Sequence, residues 1–215
     1  DGEDWFYNLE EVRRECLKAG IPYWVIIQLS AWEGMRIPTE QEINWCAYSA
    51  MAYGYKGICY FCYQDPGDMT GGAIKSDGTV HPERYPMLKR INKKIATLGQ
   101  VLSGLTSKRV YHTEPIPKMA LPQPKTGWVR SVSGGEWVIG ELTGRYGDYL
   151  MVTNRSTKKS QTAVFNFAPN ITNLYEISAE TAELKQINLT AAAQNLSGTK
   201  LTIPAGEGKL FRIVE

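Results

Sequence analysis

Residues 23–63 read YWVIIQLSAWEGMRIPTEQEINWCAYSAMAYGYKGICYFCY. The stretch opens on Tyr23-Trp-Val-Ile-Ile-Gln28, an apolar run without alternation, as in a strand buried on both faces. It closes on a second such run, Gly57-Ile-Cys-Tyr-Phe-Cys-Tyr63. Between them Ile37-Pro38-Thr39 leads into a helix: Thr39 caps it, Glu42 completes a capping box, and Gly54 ends it. Strand, helix and strand with short connections define a parallel pair joined by a right-handed crossover.

The same alternation continues outward. Upstream, Asn8-Leu-Glu-Glu11 has a capping-box pattern, and its helix runs to Ala19 with Gly20 as the stop. Downstream, a long loop from Gln64 to Val80 holds the turn signals Gly71-Gly72 and Asp77-Gly78. A third helix, about Pro82 to Ser103, carries Leu88, Ile91, Ile95, Leu98 and Leu102 on one face. A (β/α)8 barrel needs about 250 residues, about 31 per unit, so residues 1–112 read as the C-terminal segment of such a barrel. Two parallel strands leave apolar surface bare. Val25, Ile27, Ile58 and Phe61 are the expected interior residues. A missing N-terminal barrel segment, self-association or the following domain is expected to cover them.

Residues 113–126 are a proline-rich linker, with Glu114-Pro-Ile-Pro117 and Pro122-Gln-Pro124. From 127 to 215 the periodicity is that of β structure. Trp137–Leu142, Tyr149–Asn154, Gln161–Phe167, Leu174–Ile177, Leu184–Ile187, Leu201–Ile203 and Leu210–Val214 form short strand-like runs between turn residues. The expected fold class is α/β plus all-β: terminal βα units of a TIM barrel, a partial barrel, followed by an antiparallel β-sandwich.

A net charge of +2 is too small to draw nucleic acid or an anionic membrane, and no run approaches the roughly 20 apolar residues of a membrane span. The four cysteines are Cys16, Cys46, Cys59 and Cys62. Neither His81 nor His112 stands at ligand spacing from the Cys59-x-x-Cys62 pair, so small buried side chains are expected rather than a metal site. A redox role would want the pair at a helix start. Sequons start at Asn154, Asn170, Asn188 and Asn195 and fit either glycosylation sites or β-turns. The 6 Trp and 12 Tyr suit either sugar binding or an aromatic core.

The stretch Arg36-Ile-Pro-Thr39…Glu42…Tyr48-Ser-Ala50…Ala52-Tyr-Gly54-Tyr-Lys-Gly57-Ile-Cys-Tyr-Phe61 resembles the last barrel turns of glycoside hydrolases. The likeness is to β-galactosidase-type barrels and related enzymes of gut bacteria. Asp77-Gly78…Tyr85…Ile91-Asn92…Ile95…Leu98-Gly99 is similar to their final loop and helix. Asp148–Asn154 and Ile203–Phe211 resemble their appended C-terminal sandwich. The resemblance implies a nucleophilic Glu closing strand 7 and an acid/base closing strand 4. Strand 4 lies outside this chain, and strand 7 ends here on Gln28, where the family pattern has Glu. Glu33 is the nearest carboxylate. It also implies export, to the periplasm, the cell surface or beyond.

Barrel sites form at the C-terminal ends of strands, and glycoside hydrolysis needs two carboxyl groups about 5 to 9.5 Å apart. Glu33 is therefore a candidate catalytic carboxylate, or a solvated partner of Arg36. Trp32 is a candidate for stacking on a sugar face, or a loop anchor. Gln28 suits a sugar hydroxyl or a structural hydrogen bond. Tyr63, Gln64 and Asp65 close the second strand and are further candidates for substrate contact. Asp65-Pro66-Gly67-Asp68 reads as turn chemistry. Trp45, Tyr48 and Met51 are packing residues, and Trp128 and Trp137 belong to the sandwich core. No cofactor and no metal is expected. The expected function is a C-terminal glycoside hydrolase segment supplying one wall of the sugar cleft and inactive alone. The alternative is a non-catalytic carbohydrate-binding or structural module.

Overall fold

A computed structural model describes residues 4–192 and 195–215. Three helices come first, alternating with two strands: α1 (Trp5–Ala19), β1 (Trp24–Gln28), α2 (Glu40–Ala52), β2 (Gly57–Phe61) and α3 (Arg84–Leu102). The strands β3 (Leu105–His112), β4 (Val129–Val132), β5 (Trp137–Gly144), β6 (Gly147–Asn154), β7 (Gln161–Phe167), β8 (Asn173–Ile177), β9 (Leu184–Ile187), β10 (Thr190–Ala191), β11 (Ser197–Ile203) and β12 (Gly208–Val214) follow.

β1 and β2 form the parallel pair, with Trp24 beside Gly57 and Gln28 beside Phe61. The remaining strands build two antiparallel sheets, ordered β10-β11-β7-β4 and β3-β5-β6-β12-β8-β9. Between these sheets lies a core built around Trp137, Phe165, Phe167 and Phe211, each fully buried. On its other face the six-stranded sheet carries the helices, through a second core that joins Phe6, Leu9, Tyr48 and Ala52 to Val138, Leu142, Met151 and Leu210. A third core seats Ile27, Val25, Ile58 and Tyr60 of the parallel pair against Ile43, Leu88 and Ile91. Mixed α/β structure in several sheets is thus present, and the parallel strands do not close into a barrel.

β5 and β6 show why the six-stranded sheet reads as apolar without a break. Val138 and Leu142 face the helices, while Trp137 and Ile139 face the other sheet. A strand covered on both faces loses its alternation. The packing is closest at two glycines. A Cβ on Gly140 would lie 2.0 Å from the Ala52 carbonyl oxygen, and one on Gly206 would lie 2.0 Å from that of Gln41. The backbone of α2 therefore rests on β5 at its C-terminal end and on the turn between β11 and β12 at its N-terminal end. Tyr48 reinforces the seat by accepting at its carbonyl a 3.1 Å hydrogen bond from the Thr153 hydroxyl.

The capping box at Thr39 and Glu42 forms as expected. Thr39→Ala is expected to lower the unfolding free energy by about 1 kcal/mol, read from the urea midpoint. Gly20 ends α1 in the left-handed conformation at φ 67°, also as expected. The box expected at Asn8 does not form, because α1 begins at Trp5 and Asn8 lies inside it. Packing of Trp5 and Phe6 on Trp45 extends the helix past the local capping signal. The stretch before the proline-rich segment contributes β3, which pairs with β5 along the edge of the six-stranded sheet.

Candidate functional site

The ends of β1 and β2 lie side by side, and residues paired in a parallel ladder share a face. Trp24, Ile26 and Gln28 therefore stand with Gly57, Cys59 and Phe61 on the face turned away from the helices. That face is bare: Trp24 is 64% exposed, Ile26 67% and Phe61 46%. The Trp24 ring lies over Gly57, where an added Cβ would meet it at 2.3 Å. Trp32 meets Phe61 edge-on, with ring centroids 5.3 Å apart and planes at 81°. Of the residues expected on this face only Phe61 is there. Val25, Ile27 and Ile58 point the other way and pack under α2 and α3. Cys59 is exposed, not buried, and all four cysteines are free thiols.

Gln28 donates its amide N–H to the carbonyls of Ser30 at 3.1 Å and Arg36 at 2.8 Å. Its side chain thus holds the loop that leaves β1, the structural reading of this residue. It also lines a groove of about 880 Å³ beside β1, with Trp5, Ile26, Arg36, Trp45 and Arg155. Glu33 is exposed in the same loop. Its expected partner Arg36 pairs instead with Glu42, with one contact at 2.7 Å. The Arg36 hydrogen bonds, assisted by Thr39 and opposed by partial burial, hold the Glu42 carboxyl down to about 2. Glu42 is thereby ionised and committed, unfit to donate a proton.

Asp65 is neither a surface turn residue nor an open substrate contact. It is 5% exposed, and its Oδ1 accepts from the Gly72 amide at 2.8 Å and lies 2.8 Å from the Ser30 hydroxyl. Tyr63 diverges from Trp32. It lines a small cavity of about 180 Å³ against α3, with Tyr85, Leu88, Lys89 and Asn92. Gln64 is exposed and bridges to Ile74 through its backbone. The structure thus brings Gln28, Trp32 and Phe61 together, buries Asp65 against Ser30 and Gly72, and sends Tyr63 aside. Among the described residues, no three His, Cys, Asp or Glu side chains gather in a group able to hold a metal ion.

Sequence reasoning missed Trp24, Ile26 and Arg84. The first two carried a signal: Gln28 is the polar residue of β1, and counting back from it by twos gives Ile26 and Trp24. Arg84, at the start of α3, is 8% exposed. Its guanidinium donates to the carbonyls of Leu29 at 2.7 Å, Pro38 at 2.8 Å and Gly71 at 2.7 Å. Burial lowers its pKa, against the opposing field of Asp65.

No protein-family model matches the chain. Over 102 residues it is 28% identical to an uncharacterised MFS-type transporter of Yersinia enterocolitica, covering 44% of this chain and 24% of that protein. The chain therefore spans about a quarter of the length of that curated relative. Among the described residues, no helix is long and apolar enough to cross a membrane. Solved structures similar to the chain include a glycoside hydrolase of family 5 from Bacteroides vulgatus. It matches at a TM-score of 0.49 and 11% identity, over 97% of this chain and 44% of that one. A family 30 subfamily 8 xylanase from Clostridium acetobutylicum matches at a TM-score of 0.42 and 14% identity, over 93% of this chain and 44% of that one. The chain spans less than half the length of each.

Proposed function

We propose that this chain supplies one wall of a carbohydrate cleft in a glycoside hydrolase of the β-galactosidase type that its sequence resembles. In this reading α1 to α3 with β1 and β2 are terminal units of a (β/α)8 barrel, and the two antiparallel sheets are an appended β-sandwich. One observation carries it: the bare face of the parallel pair, with Trp24, Ile26 and Phe61 exposed and Gln28 and Trp32 at the strand ends. Parallel strands are otherwise covered on both faces. Further βα units would complete that interior and bring a catalytic pair. Of the carboxylates near the strand ends, Glu42 and Asp65 are engaged in structural bonds, while Glu33 on the first loop and Asp68 on the second are exposed.

The test is turnover of a panel of nitrophenyl glycosides by this chain and by a longer parent protein. The reading expects activity in the parent alone. Activity in this chain that Glu33→Gln abolishes would overturn the division of labour. Binding is tested separately, by quenching of tryptophan fluorescence with xylo-, cello- and galacto-oligosaccharides. Trp32→Ala is expected to weaken that binding about tenfold, the loss of one stacking platform. Binding that persists while the parent shows no turnover would favour a carbohydrate-binding module. Export to the periplasm or cell surface completes the reading, and fractionation of the native cells tests it.

A further inference from the structure

The loops that follow β1 and β2 are tied together more tightly than exposed connections require. Ala31 and Thr70 exchange backbone hydrogen bonds at 2.6 and 3.1 Å across them. Ser30 on the first loop stands 2.8 Å from Asp65 on the second, and Asp65 in turn accepts from Gly72. Below both sits Arg84, whose three carbonyl partners come from three segments: the exit of β1 at Leu29, the approach to α2 at Pro38, and the second loop at Gly71. No carboxylate of the described residues forms an ion pair with it. A buried guanidinium satisfied by backbone oxygens fixes backbone positions, because its planar fork sets the directions of all three bonds.

We propose that Arg84 is a positioning residue that clamps the two strand-end loops into a single rigid wall, so that Trp32 and Gln28 keep a fixed spacing toward a bound sugar. The sugar part rests on the reading above; the clamp stands on the hydrogen bonds alone. Asp65 belongs to the clamp, not to the substrate surface. The wall then moves as one body rather than as two independent lids.

Hydrogen–deuterium exchange on the intact chain tests this. In Arg84→Gln the amides of Ala31 and Thr70 are expected to exchange about tenfold faster or more, while those of β5 and β6 keep their protection. The dissociation constant for whichever of the xylo-, cello- and galacto-oligosaccharides the unsubstituted chain binds best is expected to rise about tenfold. Arg84→Lys should not restore either, since one ammonium cannot span three carbonyls in fixed directions. Unchanged Ala31 and Thr70 exchange in Arg84→Gln would overturn the clamp. If Arg84→Gln loosens the whole chain, Ser30→Ala gives the decision. Faster exchange confined to 62–72 supports coupled loops, and no change there overturns them. Should the unsubstituted chain bind no sugar while the loops still loosen together, the clamp holds and only the carbohydrate reading falls.

Discussion

Gly140→Ala should lower the unfolding free energy by about 3 kcal/mol, at the upper end for inserting one methyl into a packed interior. The new Cβ would stand 2.0 Å from the Ala52 carbonyl oxygen and 2.8 Å from its carbon. Backbone on both sides leaves no side chain to swing away, so α2 must lift from the sheet. Lifting it opens both cores that the helix shares, since Ile43 faces the parallel pair and Tyr48 and Ala52 face the six-stranded sheet. Gly104→Ala is the matched control, because its nearest neighbour would be the Val101 carbonyl oxygen at 3.8 Å. It is expected to shift stability by less than about 1 kcal/mol. Equal urea midpoints for the two variants would mean that α2 does not rest on β5 as described.

Acid should destabilise the chain through His112. This residue on β3 is fully buried, with its Nε2 2.8 Å from the Tyr53 hydroxyl and the Phe6 ring edge-on at 4.5 Å. Burial, with a smaller contribution from the Arg155 charge, pushes its pKa down from 6.5 to about 3. Nδ1 has no partner among the described residues. A proton placed on the ring would thus find no acceptor there. The unfolded chain takes up this proton near pH 6.5 and the folded chain only near pH 3, so the unfolded state binds more protons between these values. Stability from this residue is complete above about pH 6.5 and is lost as the pH falls toward about 3. The loss reaches about 4 kcal/mol at the acid end. His112→Gln should flatten that part of the stability–pH curve. A wild-type slope that survives the substitution would place the acid sensitivity elsewhere.

Much of the fold was legible because the signals were local. Thr39 and Glu42 formed the expected cap, and Gly20 stopped its helix at positive φ. The parallel strands fell where the apolar runs predicted them, at 24–28 and 57–61. Their faces were harder to read. A run such as Trp-Val-Ile-Ile carries no alternation, so only the polar Gln28 at its end told Val25 from Ile26, and the helices beneath decided that Val25 turns inward. The site was legible in part. Gln28 and Trp32 both stand beside Phe61 at the strand ends, but Tyr63 lines a cavity against α3 and Asp65 is buried. Asp65-Pro66-Gly67 has the composition of a surface turn. What buries the carboxylate is Ser30 and Gly72 folding over it, a contact between segments 35 residues apart in the first case. Arg84 was hidden for the same reason. It looks like an ordinary charge opening a helix, and its three carbonyls come from elsewhere.

The shared position of α2 bears on where this chain can be cut. The proline-rich segment looks like a natural place to divide it, but β3 lies before that segment and forms the edge of the six-stranded sheet. A product starting at residue 127 would lack that strand and would expose Val138, Leu142, Met151 and Leu210, which the helices now cover. Such a product should be recovered as aggregate rather than as a soluble module. Grafting the C-terminal sheets onto another protein would therefore require carrying α2 with them, or redesigning one whole face.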